Sequence, residues 1–169
     1  MVSAGGADPE RITERIMTDI CPEMRDIVFH FIVGALNPRL NDIKALSEGK
    51  DNIVFHINEK NMSGLMENCD IAISAAGSTL YELCATGLPT ITYTLADNQL
   101  VAAEQFDKRG IMLSAGDCRG DDGFIDRVKM YIEKLNDSIE LRRELSGKMQ
   151  QLVDGNGAAR IIEALLRII

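Results

Sequence analysis

Two short loops in this sequence combine residue types that can hold an anion. "VSAGGADPE", residues 2–10, sets Gly5 and Gly6 between an apolar stretch and a helix start, and "SAAGSTLYE", residues 74–82, does the same with Gly77, Ser78 and Thr79. Residues this small let a phosphate approach backbone N–H groups, and the start of a helix contributes its positive end. Each loop by itself also has a plainer reading. Gly5-Gly6 can be a tight turn with Asp8 capping the helix. Ala75, Ala76 and Gly77 can merely allow close strand-to-helix packing, with Thr79-x-x-Glu82 as a capping box. Two such loops at one point of a sheet shift the balance toward a bound diphosphate. A third stretch, "LADNQ" at 95–99, brings Asp97, Asn98 and Gln99 to a helix start. Polar side chains there can hydrogen-bond sugar hydroxyls; alternatively Asp97 caps the helix and the other two sit in a solvated first turn. Glu82, one turn into the helix after the second loop, can accept hydrogen bonds from a ribose diol.

Positioning these residues takes a particular scaffold. Apolar runs of strand length alternate with helical-period segments along all 169 residues, which predicts six parallel strands near 2–4, 26–33, 52–57, 70–74, 90–94 and 111–113 with helices between them. Such alternation builds a doubly wound α/β sheet. In its six-strand order, 3-2-1-4-5-6, strands one and four lie side by side, and ligands bind beyond their carboxyl ends. The two glycine loops follow those two strands, and "LADNQ" follows strand five at the same edge. Asp8-Pro9-Glu10 reads as an N-cap, a proline at the first helical position and a first-turn acid, with Ile12, Ile16 and Ile20 then sharing one face. Gly87 closes the helix after strand four and Pro89 opens the next strand. Asp97 looks like the cap of a helix ending near Gly110, and residues 124–169 read as helices only.

Composition narrows the classes. A chain of this length with 46% hydrophobic residues fits one domain, and 5% aromatics with no Trp suits helix-on-sheet packing. A net charge of −8 argues against holding nucleic acid or an anionic membrane through the overall field, so any phosphate must be held locally. Cys21, Cys69, Cys84 and Cys118 are widely separated and, with only His30 and His56 to help, give no metal-ligand spacing; they read as buried, reduced core thiols. "GGADPE" is not G-x-G-x-x-G, no acid closes strand two, and neither a Walker lysine nor a D-x-D pattern occurs. The longest apolar stretch, 27–36, is half of the roughly 20 residues a membrane helix needs, and no leader pattern precedes it, so a cytoplasmic protein is expected. Strand one starts at the initiator Met and runs for about three residues, whereas a buried central strand is normally longer. The chain is therefore expected to be a fragment, the second domain of a two-domain protein.

"VSAGGADPERIT", "ISAAGSTLYELCATGLPTI" and "LADNQ" together resemble the C-terminal, nucleotide-binding half of GT-B-fold enzymes that use UDP-sugars, over essentially the whole chain. Within that group the sequence is most similar to the family containing the UDP-sugar hydrolase of pseudaminic acid biosynthesis and the spore coat polysaccharide biosynthesis proteins. The peptidoglycan UDP-N-acetylglucosamine transferase resembles it more distantly. The resemblance implies that Gly5, Gly6, Gly77, Ser78 and Thr79 surround the diphosphate of a UDP-sugar and that Glu82 holds the ribose. Asn98 and Gln99 would face the sugar, and the backbone at Ile57, in "FHINEKNM", would meet uracil. Helix N-termini preset for the charge that develops on a leaving diphosphate can stabilise it without a metal, and with no D-x-D pattern in the sequence, metal-independent UDP binding with no further cofactor is expected. The resemblance also implies a catalytic histidine in a glycine-rich loop of an N-terminal domain, which these residues do not include. His56 is read as a structural donor and His30 as a satisfied core residue. The domain alone is expected to bind without turnover.

Three other readings remain open at this point. The same domain can serve a glycosyltransferase, with a sugar or lipid hydroxyl in place of water. A non-catalytic α/β regulatory module of the receiver kind needs clustered carboxylates after strand one and a Lys after strand five; Asp8 alone and "TLADNQ" meet little of this. A domain supplying its nucleotide site in trans to a separate catalytic subunit would expose apolar surface for that partner.

Overall fold

Apolar, aromatic and β-branched residues concentrate in the strands and set the sheet. The computed structural model describes residues 1–35 and 37–168, so the end of the apolar run at Leu36 and the last residue of the C-terminal stretch, Ile169, lie outside the described residues. The strands are β1 (Val2–Ser3), β2 (Phe29–Val33), β3 (Ile53–Ile57), β4 (Ala72–Ala75), β5 (Thr90–Thr94) and β6 (Leu113–Asp117). All pairings are parallel, in the order β3-β2-β1-β4-β5-β6. This is the doubly wound order expected from the sequence. Its central feature is the juxtaposition of β1 with β4, where Val2 pairs with Ile73 and Ser3 with Ser74, so the two glycine loops leave the sheet side by side.

Helices α1 (Ile12–Arg15), α2 (Leu40–Leu46), α3 (Met62–Glu67), α4 (Thr79–Thr86), α5 (Asp97–Lys108), α6 (Phe124–Asn136), α7 (Ile139–Leu152) and α8 (Gly157–Leu166) complete the fold. The first continues as a π-helical segment, Ile16–Ile20, in which the Cys21 N–H donates to Ile16 O at 3.0 Å. Ile12, Ile16 and Ile20 are fully buried together, as their spacing predicts, in a layer that also holds Phe31, Tyr93 and Phe124. The Phe124 ring meets Tyr93 edge-on at 5.4 Å. The opposite face of the sheet is covered by Met66, Leu80, Leu83, Phe106 and Met149 from α3, α4, α5 and α7. Gly87 ends α4 in the left-handed conformation, φ 69°, in agreement with its expected role. From Phe124 onward every described element is a helix, and α8 leaves Ile161, Ile162, Leu165 and Leu166 exposed.

The last strand is a correction. The apolar residues Ile111 and Met112 suggest a strand at 111–113, but β6 spans Leu113–Asp117. Ile111 and Met112 are buried as the turn that follows α5, with the Ile111 N–H bonded to Phe106 O. The strand proper reads "LSAGD" because it lies at the sheet edge, pairs on one side only and carries an irregularity opposite Thr92 and Thr94. Three of the four cysteines behave as expected: Cys21, Cys84 and Cys118 are buried, and burial pushes their thiols up to about 12, 11 and 11. Cys69 is half-buried. Among the described residues no helix is long and apolar enough to cross a membrane.

Candidate functional site

The loops after β1 and β4 enclose a cleft of about 410 Å³, lined on one side by Gly5, Gly6 and Asp8, on the other by Gly77, Ser78 and Thr79, with Gln99 from α5. The N–H groups of Gly5, Gly6 and Ala7 on the first loop, and of Ser78 and Thr79 on the second, donate to no acceptor among the described residues. Around α4, the Leu80 N–H is bonded to Gly77 O and the Tyr81 N–H to Ser78 O, so the helix proper begins just inside the donors that remain free.

The glycines of the cleft differ in what the fold asks of them. A methyl group built at Gly6 or at Gly77 would find nothing within 4 Å, and neither residue has positive φ. Neither close packing nor backbone geometry therefore demands glycine at these two positions. Close strand-to-helix packing is done instead by Ala76, which is buried in the core layer beneath α4. Gly5 differs, since its φ of 77° calls for glycine on conformational grounds.

The helix starts depart from their sequence reading in three places. Asp8 and Pro9 do not open α1, which begins at Ile12. Asp8, at φ 42° and almost completely buried, reaches forward and accepts from the Ile12 and Thr13 N–H groups at 2.8 and 2.9 Å. Its carboxylate thus occupies the end of α1, and the first loop offers a ligand its own N–H groups rather than a helix terminus. The capping box at Thr79 and Glu82 is also not formed. Ser78, not Thr79, precedes the helix, and no side-chain bond caps it. Glu82 is exposed and its carboxylate has no partner among the described residues. Lastly, Asp97 is the first residue of α5 rather than its cap, and it bonds Arg119 Nη2 at 2.7 Å. Gln99 does the local work, its Oε1 accepting the Leu95 N–H at 3.0 Å, which leaves its amide nitrogen as the donor available to the cleft.

The structure separates two residues that the sequence groups. Gln99 lines the cleft, whereas Asn98 lies in a second groove of about 460 Å³, beside Tyr81, Val101 and Arg109. Ile57 stands apart at the end of the edge strand β3. The Asn58 N–H donates to Val33 O at 3.1 Å and Ile57 pairs with Val33. In a parallel ladder that register turns the Ile57 N–H and C=O away from β2, off the free edge. His56, just before it, shares a 2.9 Å hydrogen bond with His30, which fits a structural role for both. The sequence reading missed Arg39. It donates through Nη2 to the Asp8 carbonyl oxygen and through Nε to Glu14 Oε1 at 2.8 Å. Nothing in its neighbourhood of the sequence marks it, because its partners lie 31 and 25 residues away.

A parallel sheet in this order, with a cleft of free N–H groups where β1 and β4 diverge, is a doubly wound, Rossmann-like domain, and its likeness to solved glycosyltransferases makes it the C-terminal domain of a GT-B fold. The chain aligns over 98% of its length with MurG of Acinetobacter baumannii at a TM-score of 0.68 and 14% identity, covering 51% of that protein. Residues 8–152 match the glycosyltransferase family 28 C-terminal domain, and the chain belongs to that family. It is 27% identical over 169 residues to the spore coat polysaccharide biosynthesis protein SpsG of Bacillus subtilis, an alignment spanning 98% of this chain and 49% of the relative. It is 42% identical over 55 residues, 32% of the chain and 11% of the relative, to the Helicobacter pylori pseudaminic acid cytidylyltransferase and UDP-2,4-diacetamido-2,4,6-trideoxy-beta-L-altropyranose hydrolase. The chain spans about half the length of SpsG and of MurG.

Proposed function

We propose that this chain is the UDP-sugar-binding domain of a two-domain enzyme that cleaves the anomeric C–O bond of a nucleotide sugar and releases UDP. The observation that carries this reading is the open space at Gly6 and Gly77. Gly147 and Gly157 are as open and as free of positive φ, but Gly6 and Gly77 face each other across one cleft, where a missing side chain lets an anion approach the backbone N–H groups. The diphosphate lies across the two loops and accepts from the N–H groups of Gly5, Gly6 and Ala7 on one side and of Ser78 and Thr79 on the other, with the positive end of α4 beneath it. Glu82, free of partners among the described residues, accepts from the ribose hydroxyls. The outward N–H and C=O of Ile57 pair with the acceptor and donor edge of uracil, and the free amide nitrogen of Gln99 faces the sugar. As the C–O bond breaks, negative charge grows on the leaving diphosphate, and donors fixed in advance stabilise it. This scheme uses no metal, so UDP affinity is expected to be insensitive to EDTA.

The acceptor defines two versions of the reaction. Water as acceptor is supported by the 42% identity to a protein whose name includes a UDP-sugar hydrolase. A sugar or lipid hydroxyl is supported by the name of the glycosyltransferase family. In either version the choice, and the catalytic base, fall to a further N-terminal domain, and this domain alone binds without turnover. The test is to incubate a protein carrying both halves with a UDP-sugar. UDP and free sugar released without an added acceptor support hydrolysis, and release only with a hydroxyl acceptor supports transfer. Failure of this chain to bind UDP would overturn the reading altogether.

A further inference from the structure

The first loop of the cleft is held in a conformation that its own residues disfavour. Asp8 and Arg11 have positive φ, at 42° and 54°, a region that residues other than glycine rarely adopt, whereas Gly5, at 77°, is at ease there. Such strain persists only where the surroundings over-determine it. Three contacts do so here. The Asp8 carboxylate ties the loop forward to the Ile12 and Thr13 N–H groups. Gly34, just after β2, is pressed against the loop so closely that a Cβ there would lie 3.3 Å from Gly6 O. The third contact comes from Arg39, whose guanidinium bridges the Asp8 carbonyl oxygen and the Glu14 carboxylate. Both charged side chains are mostly buried, at 17% and 14% exposure, and the Arg39 N–H is itself anchored on Asn37 Oδ1 at 2.9 Å.

We propose that Arg39 is the positioning residue of this loop. It does not line the cleft; from behind, it fixes Asp8 and so aims the Gly5, Gly6 and Ala7 N–H groups at the ligand. Arginine suits the task because its planar fork presents donors in fixed directions to two acceptors on different segments, which a lysine ammonium cannot reproduce. The inference rests on the reading of the cleft as a diphosphate site, and its test keeps the two separable.

Three proteins are compared: wild type, Arg39→Lys, which keeps a cation beside Glu14 but loses the fork, and Glu14→Gln, which abolishes the ion pair but leaves Arg39 able to hold Asp8. Isothermal titration with UDP reads affinity, and 15N relaxation without nucleotide reads the mobility of Gly5, Gly6 and Ala7. Arg39→Lys is expected to bind UDP about tenfold more weakly and to mobilise the three residues, while Glu14→Gln stays within about twofold of wild type with a rigid loop. Equal weakening by both variants would mean that the ion pair matters only for structure, and would overturn the proposal, as would an unaffected Arg39→Lys. If wild type binds no UDP, the reading of the cleft fails and relaxation alone decides the bracket. A loop mobile in Arg39→Lys but not in Glu14→Gln sustains it, and any other pattern overturns it.

Discussion

Replacing Gly77 by alanine should move stability and binding in opposite directions. Gly77 has no positive φ and its added methyl meets nothing within 4 Å, so the folded state accommodates alanine without strain. The unfolded chain loses conformational freedom, which stabilises the protein by about 0.4–1 kcal/mol and raises Tm by about 1–4 °C for a domain of this size. Gly77 lines the cleft together with Ser78 and Thr79, so the same methyl is expected to take up space that a ligand needs. A phosphate held off that backbone forfeits one or two charge-assisted hydrogen bonds, and even a single one, worth about 1.5–3 kcal/mol, raises Kd for UDP about 10- to 100-fold. Calorimetric melting and isothermal titration on one preparation read both effects. A raised Tm with unchanged Kd would refute the claim that the open space belongs to a ligand, and a lowered Tm would refute the claim that the space is open.

Further outcomes follow from the same contacts. Gly87→Ala is the converse control: at φ 69°, with a Cβ 2.7 Å from Ser146 Oγ, it should cost about 1–3 kcal/mol in thermal melting and leave UDP affinity unchanged. Glu82→Ala should weaken UDP binding by about 1–3 kcal/mol with Tm unmoved, since the carboxylate has no hydrogen-bond or ion-pair partner among the described residues; a lowered Tm with unchanged affinity would return Glu82 to a capping role. Burial and the neighbouring His56 hold His30 below the ordinary histidine value, so below pH of about 6.5 the unfolded chain binds more protons than the folded one. Stability is complete above that pH and lost as pH falls through the window beneath it, and His30→Asn should flatten the fall in Tm between pH 7 and 5.5. Native-state labelling with a thiol reagent at neutral pH should modify Cys69 first, with Cys21, Cys84 and Cys118 reacting only on unfolding; uniform labelling would contradict their burial.

The fold was legible in the sequence because strand order depends on features a single chain displays: apolar runs such as "FHFIV" and "TITYT" and the small-residue joints after strands one and four. The edge strand β6 was not, since "LSAGD" pairs on one side and needs no apolar alternation, while the apolar Ile111 and Met112 serve a turn. The candidate cleft was legible as a pair of loops, yet its electrostatics were not. Asp8 reads as the cap of a helix starting beside it, and only the tertiary fold sets its carboxylate on Ile12 and Thr13 and its carbonyl on Arg39. Likewise "DNQ" suggests three equivalent polar residues, but helical geometry sends Asn98 to one groove and Gln99 to another. Ile57 is recognisable by resemblance alone, because what it presents is backbone.

The most direct test of the central claim is a titration of the 15N-labelled chain with UDP, with UMP and NAD as comparisons, following backbone amide shifts. The account predicts saturable shifts at Gly5, Gly6, Ser78 and Thr79, with Ile57 and Asn58 moving as the base docks, for UDP and to a much smaller extent for UMP. An unchanged spectrum at 1 mM UDP, on the order of the weakest binding that five donors should allow, or equal responses to NAD, would contradict it.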